Sequence, residues 1–221
     1  MEALKTARSY LFVPANRPDF IAKASEKGAD IIVLDLEDSV PSPSKPRARQ
    51  QLFASVAQLQ ARGQWVAVRI NAELEHLRDD LDALDLKKVA AVLLPKVEDA
   101  GFVRLVDSYL QQLECQQEVP SRRLPLIAMI ETCRGALNAR EIATSSPRIC
   151  ALALGSEDLS AQLGVPPTAQ SLTGICQQLV LVAAESGLSA LGFPGSIAEF
   201  TDREQLDCGL YAAKAMGFTG A

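Results

Sequence analysis

The chain has 221 residues, 48% hydrophobic and 22% charged, with a net charge of −5. That composition predicts one globular domain, residues 1–221, with a large core. Acidic and basic residues are interspersed, which excludes the concentrated positive field of a nucleic-acid-binding protein or of one that docks on anionic membranes. No apolar stretch approaches the roughly 20 residues of a membrane span, and Met1-Glu2-Ala3-Leu4-Lys5 carries no signal-peptide pattern.

In chain order, short apolar runs at residues 10–14, 30–36, 65–70, 90–94, 125–130, 150–155 and 189–193 predict seven strands. Helical patterns over 18–27, 44–59, 99–117, 135–144, 168–186 and 203–216 separate them. Continuously apolar strands alternating with helices predict a parallel sheet covered on both faces, the pattern of an α/β barrel. An eighth strand would have to follow Gly217-Phe218-Thr219-Gly220, where only Ala221 remains. The expectation is therefore a (β/α)8 TIM-type barrel, C-terminally truncated, with seven strands in the chain.

Cysteines 115, 133, 150, 176 and 208 are odd in number and none lie at CxxC spacing. They predict reduced thiols and a cytoplasmic location rather than a disulfide framework or zinc ribbon. The one histidine, His76, falls in a polar segment read as exposed. Multi-histidine zinc sites are thus excluded within one chain, and a Ser-His-Asp triad would have to recruit this loop residue.

Charged residues gather at the C-terminal ends of the strands, the face that binds ligands in parallel α/β folds. Glu131 and Asp158 each follow an apolar run, and two such carboxylates suit a hard cation such as Mg²⁺, which prefers oxygen ligands. Helix capping or pairing with Arg is the alternative role. Arg69 and Asn71 share one face of their strand, where Arg can bind carboxylate or phosphate bidentately, or instead form a structural ion pair with Asp35 or Glu37. Alternation points Asp35 and Glu37 to one side and Asp38 to the other. These acids are expected mainly to support Arg69 or Lys96, with Glu37, Arg69 and Lys96 as the catalytic candidates. For Lys96, electrostatic positioning is favoured over a Schiff base, because nearby carboxylates keep its pKa high. Gly155, Ser156 and Glu157 precede a helical stretch whose amides could cradle a substrate carboxylate. Asn16 and Arg17, with Lys45, Arg47 and Arg49 after a Pro/Ser turn, could clamp the phosphates of a nucleotide-bearing ligand, or form a solvated basic face.

Six motifs carry a resemblance. Arg8-Ser9-Tyr10-Leu11-Phe12-Val13-Pro14, Leu34-Asp35-Leu36-Glu37-Asp38-Ser39-Val40, Val68-Arg69-Ile70-Asn71, Leu94-Pro95-Lys96-Val97-Glu98, Ile130-Glu131-Thr132 and Gly155-Ser156-Glu157-Asp158-Leu159 resemble, in order, the HpcH/HpaI aldolase superfamily. The closest likeness is to its citrate lyase beta-subunit-like branch. The resemblance implies a (β/α)8 barrel assembled as trimers or hexamers, and Mg²⁺-dependent cleavage of a 3-hydroxyacyl-CoA thioester to acetyl-CoA and a 2-oxo acid. It implies Glu131 and Asp158 as magnesium ligands, Arg69 on the substrate's oxygens, Gly155 to Asp158 around a carboxylate, and the N-terminal basic residues near coenzyme A. Two departures stand out: the family's C-terminal Lys, eighth strand and lid are not present, and no Asp lies near Gly192. A non-catalytic subunit that needs a partner chain, and a 2-oxo-acid aldolase that does not use coenzyme A, are the alternatives.

Overall fold

The computed structural model describes residues 2–119, 123–196 and 202–221. Among the described residues seven strands form one sheet in sequence order: β1 (Tyr10–Pro14), β2 (Ile31–Asp35), β3 (Trp65–Arg69), β4 (Ala91–Leu94), β5 (Leu126–Ile130), β6 (Ile149–Leu154) and β7 (Ser189–Leu191). This is the expected α/β class with the expected strand count. Every residue of β2, β4 and β5 is buried, so their apolar runs do not alternate, as in a parallel sheet covered on both faces.

The chain divides into two compact units. The first, Met1–Pro95 with Val106–Leu126, carries β1 to β4 in parallel register. That register sets Pro14 beside Asp35 and Asp35 beside Arg69. Its helices are α1 (Glu2–Thr6), α2 (Pro18–Ala24), α3 (Lys45–Gln60) and α4 (Leu74–Asp82). Helix α3 turns Ala48, Leu52, Val56 and Leu59 inward, the stripe expected of a helix lying on a sheet.

The second unit, Lys96–Leu105 with Ile127–Ala221, carries the rest of β5 with β6 and β7. Helix α5 (Ala100–Gln116) begins in this unit and ends in the first. The second unit also holds α6 (Cys133–Leu137), α7 (Ala139–Ala143), α8 (Ser156–Leu163), α9 (Ala169–Glu185) and α10 (Arg203–Met216). Thr168 starts α9 with a reciprocal capping box to Ser171, which satisfies two amides that lack intrahelical acceptors. Where an eighth strand would begin, Gly220 makes a single parallel bridge to Leu191, and the Gly192 amide donates to the Gly220 carbonyl at 2.8 Å.

Several local expectations need correction. Residues 135–144 do not form one helix: the chain breaks at Asn138 between α6 and α7. Helix α2 ends at Ala24 and continues as a 3₁₀ turn, Ser25–Lys27. Helix α8 begins at Ser156, inside the segment expected to precede a helical stretch, and helix α4 was not among the expected helices. Consequently His76 is a half-buried helical residue rather than part of an exposed loop. Among the described residues no helix is long and apolar enough to cross a membrane.

Candidate active site

In the first unit, the strand-end charges close around Arg69. Its Nε and Nη2 donate to the two Asp35 oxygens at 2.7 and 2.8 Å, a bidentate pair made possible by the β2–β3 register. Its Nη1 lies 2.9 Å from Glu37 Oε2 and 3.5 Å from Asp38 Oδ2, and the guanidinium stands 5.2 Å from the Phe12 ring centre. Asp38 thus reaches the same side as Asp35, contrary to the alternation expected from sequence. The reason is that β2 ends at Asp35 and the following residues turn. Burial opposes ionisation of Asp35. The hydrogen bonds and charge of Arg69, together with Ser39 and the Glu37 amide, outweigh that burial and hold the carboxyl below the usual carboxylate range. Burial likewise disfavours the Arg69 cation, and the carboxylates around it reverse the balance and raise its pKa.

Two sequence candidates have other duties in this unit. Lys45 is 7% exposed, and its ammonium donates to the carbonyls of Leu36 and Glu37, both at 3.0 Å, and to Asn71 Oδ1. It ties the N-terminus of α3 to the loop after β2 and does not present its charge to a phosphate. Asn71, 1% exposed, donates through Nδ2 to Leu36 O at 2.9 Å and to Asp80 Oδ2 at 2.6 Å. Its backbone N–H also donates to Asp80 Oδ2, and Arg49 Nε donates to Asp80 Oδ1 at 2.6 Å. The amide therefore braces the loop that carries Glu37 instead of facing a ligand. Arg49, one of the basic residues expected near phosphates, is thus paired with Asp80; Asp80 itself gave no sequence signal, since a buried Asp inside a helix looks like any polar helix position. Arg17 is exposed, paired with Asp19 at 2.9 Å and stacked 4.0 Å from the Phe20 ring. Asn16 Oδ1 is buried and accepts no hydrogen bond among the described residues.

In the second unit, a tighter cluster forms at the ends of β5 and β6. Glu131, directly after β5, is 3% exposed, and its Oε1 accepts the Lys96 backbone N–H at 2.6 Å. Lys96 reaches that position with φ at +49°, in the left-handed region that residues with a side chain rarely adopt. Its ammonium stands 3.9 Å from Asp158 Oδ2. Asp158 lies in the first turn of α8, not at a strand end, and there the helix dipole also favours its charge. Gly155 seals the cluster: a Cβ at this position would fall 2.3 Å from both Cβ and Oε2 of Glu131. Its φ of −96° suits any residue, so close approach alone requires glycine.

The Gly155 amide is not aimed at a substrate carboxylate, because it donates to the Ile130 carbonyl at 3.0 Å. Ser156 Oγ donates to the Gly195 carbonyl at 2.7 Å, and Glu157 Oε1 accepts from Ser196 Oγ at 2.5 Å. These bonds lash the loop after β7 to the start of α8. No motif suggested Ser196, because its partner lies 39 positions away. Glu131 and Asp158 meet the chemical needs of magnesium, being two oxygen donors with water and ligand oxygens able to complete an octahedron. Among the described residues no group of three or more His, Cys, Asp or Glu side chains could hold a metal.

The profile described as HpcH/HpaI aldolase/citrate lyase matches residues 8–221. An L-malyl-CoA/beta-methylmalyl-CoA lyase of Rhodobacter capsulatus is 33% identical over 165 residues, covering 73% of this chain and 52% of that protein. The chain thus spans about half the length of that relative. A (3S)-malyl-CoA thioesterase of Cereibacter sphaeroides is 32% identical over 219 residues, covering 96% of this chain and 71% of that protein. Among solved structures, a citrate lyase beta subunit of M. tuberculosis complexed with oxaloacetate and magnesium superposes with a TM-score of 0.78 at 29% identity. That match covers 100% of this chain and 92% of the other. Protein CitE of the same organism, in complex with magnesium, acetoacetate and coenzyme A, gives 0.74 at 31%, covering 98% and 76%.

Proposed function

The chain belongs to the HpcH/HpaI aldolase/citrate lyase family, and on that premise we propose a magnesium-dependent carbon–carbon lyase that cleaves a 3-hydroxyacyl-CoA thioester to acetyl-CoA and a 2-oxo acid. Citramalyl-CoA, giving pyruvate, is the first substrate, with malyl-CoA and citryl-CoA behind it. The observation that carries the proposal is that Lys96 touches both Glu131 and Asp158, which brings two hard oxygen donors to the ends of β5 and β6. A cytoplasmic homo-oligomer, trimer or hexamer, belongs to the same proposal.

The reaction is a retro-aldol cleavage of a 3-hydroxy thioester. A base takes the proton of the 3-hydroxyl, the C2–C3 bond breaks, and its electron pair moves to the thioester carbonyl as an enolate. A proton delivered to C2 then yields acetyl-CoA. Glu131 and Asp158 would hold the magnesium, which supplies Lewis acidity to the oxygens of the 2-oxo acid. Arg69 is assigned to the thioester oxygen, where fixed positive charge acts most strongly on developing negative charge. Glu37 and Asp35 hold its guanidinium in one orientation. Ser156 and Glu157, at the start of α8, are assigned to a substrate carboxylate, because a helix N-terminus favours negative charge. Asn16 and Arg17 are retained as contacts for coenzyme A.

The test is an assay of the purified protein with Mg²⁺ against all three thioesters, following acetyl-CoA release. Glu131→Ala and Asp158→Ala are expected to lower the rate by at least about a hundredfold, since each removes a metal ligand. If the three thioesters stay intact, the lyase proposal fails. The thioesterase relative favours a second reading, hydrolysis of the thioester, and the same assay separates the two. Hydrolysis releases free coenzyme A and the intact hydroxy acid, with no acetyl-CoA.

A further inference from the structure

Lys96 binds both candidate metal ligands, one through its backbone and one through its side chain. The backbone bond to Glu131 is short, at 2.6 Å, and part-buried. The side-chain contact with Asp158 is of a different kind. It spans 3.9 Å, with the two side chains 34% and 46% exposed, and exposed pairs of this type are weak and readily exchanged. The chain also accepts a left-handed backbone at this lysine, with φ at +49°. Glycine would adopt that conformation with less strain. The side chain at position 96 therefore has a use that offsets the strain.

We propose that Lys96 is the counter-ion that couples uptake of the divalent cation to binding of the anionic 2-oxo acid. Without ligands, its ammonium neutralises Asp158. A divalent cation that takes Asp158 meets the repulsion of the same ammonium, so the cation alone binds weakly. An organic acid arriving with the metal gives the ammonium a new anionic partner and removes that penalty. The two ligands thus strengthen each other's binding by a common factor, as linkage requires. Lys96 acts as a positioning residue for the carboxylate pair, and the inference rests on Glu131 and Asp158 being the cation's ligands.

The side chain can be tested apart from the backbone, because the Lys96 N–H survives every substitution except proline. Mn²⁺ serves as probe, its free-ion electron paramagnetic resonance signal falling on binding, with and without saturating pyruvate. In the wild-type protein pyruvate should tighten Mn²⁺ binding. Lys96→Met should bind Mn²⁺ alone about fivefold tighter, the scale of one exposed ion pair, and lose most of the pyruvate enhancement. Lys96→Gly, which also relieves the backbone strain, should behave the same, and Lys96→Arg should restore the coupling. If the Met and Gly variants match the wild type in both measurements while Glu131→Ala abolishes binding, the coupling role is overturned and the metal site stands. If the wild-type protein takes up no Mn²⁺ with or without pyruvate, the metal site itself fails, and the inference with it.

Discussion

Asp35 shows how much one strand-end residue holds. It is 1% exposed and receives Arg69 bidentately, the Glu37 and Ser39 amides and the Ser39 hydroxyl. Its pKa is lower in the folded protein than in the unfolded chain. The stability it contributes is therefore fully present above its unfolded pKa, near 4, and is lost as pH falls through the lower folded value. Asp35→Asn should reduce stability at neutral pH by roughly 3 kcal/mol, the cost of breaking a buried pair. The difference from wild type should shrink below about pH 4, as read from urea unfolding at several pH values. The Arg69–Asp35 pair was legible in the sequence as one of two roles for Arg69, because adjacent strands of a parallel sheet set their ends side by side. The left-handed backbone of Lys96 was not legible, since nothing local to Pro95-Lys96-Val97 demands it.

At the scale of elements, the strands were far easier to read than the helices. Continuous apolar runs such as Ile31-Ile32-Val33-Leu34 have few alternatives to a doubly covered strand. Helix α4 escaped notice because its inward face includes Asp80, fully buried, which interrupts the apolar stripe that reveals an amphipathic helix. Helix α8 has eight residues, too few for a periodicity to emerge. Lys45 is the corresponding case for α3: it looks like a surface cation in Ser44-Lys45-Pro46-Arg47 but anchors the helix start to the loop after β2. Lys45→Met should lower stability by about 2–3 kcal/mol through loss of these charged hydrogen bonds. Binding of coenzyme A thioesters, measured by calorimetry on the folded variant, should be unchanged.

For the whole molecule, the thiols report how the fold sorts chemically equal residues. Burial pushes Cys150 up to about 12 and Cys176 up to about 11, whereas Cys115 and Cys208 are exposed. Ellman's reagent at pH 8 should label Cys115 and Cys208 in the native protein. Cys150 and Cys176 should react only after denaturation, since the thiolate is the reactive form. Labelling of Cys176 at the rate of Cys115, with the protein still folded, would contradict the fold described for the second unit.

The amino-acid sequence by itself determined the ladder of seven apolar strands, the family, and the charged residues at the strand ends. Apolar patterning and motif order are local properties of the chain, and they survive without knowledge of any neighbour. Tertiary structure alone decided which of those charged groups turn inward and which gather with one another. Lys45 and Asn71 went to bracing the loop after β2, the Gly155 amide went to the β5 carbonyl at Ile130, and Lys96 came to lie against Glu131 and Asp158. The physical reason is that a polar group turned inward must find a partner, and these partners lie from 8 to 62 positions away in the chain, most of them beyond the reach of any local sequence pattern.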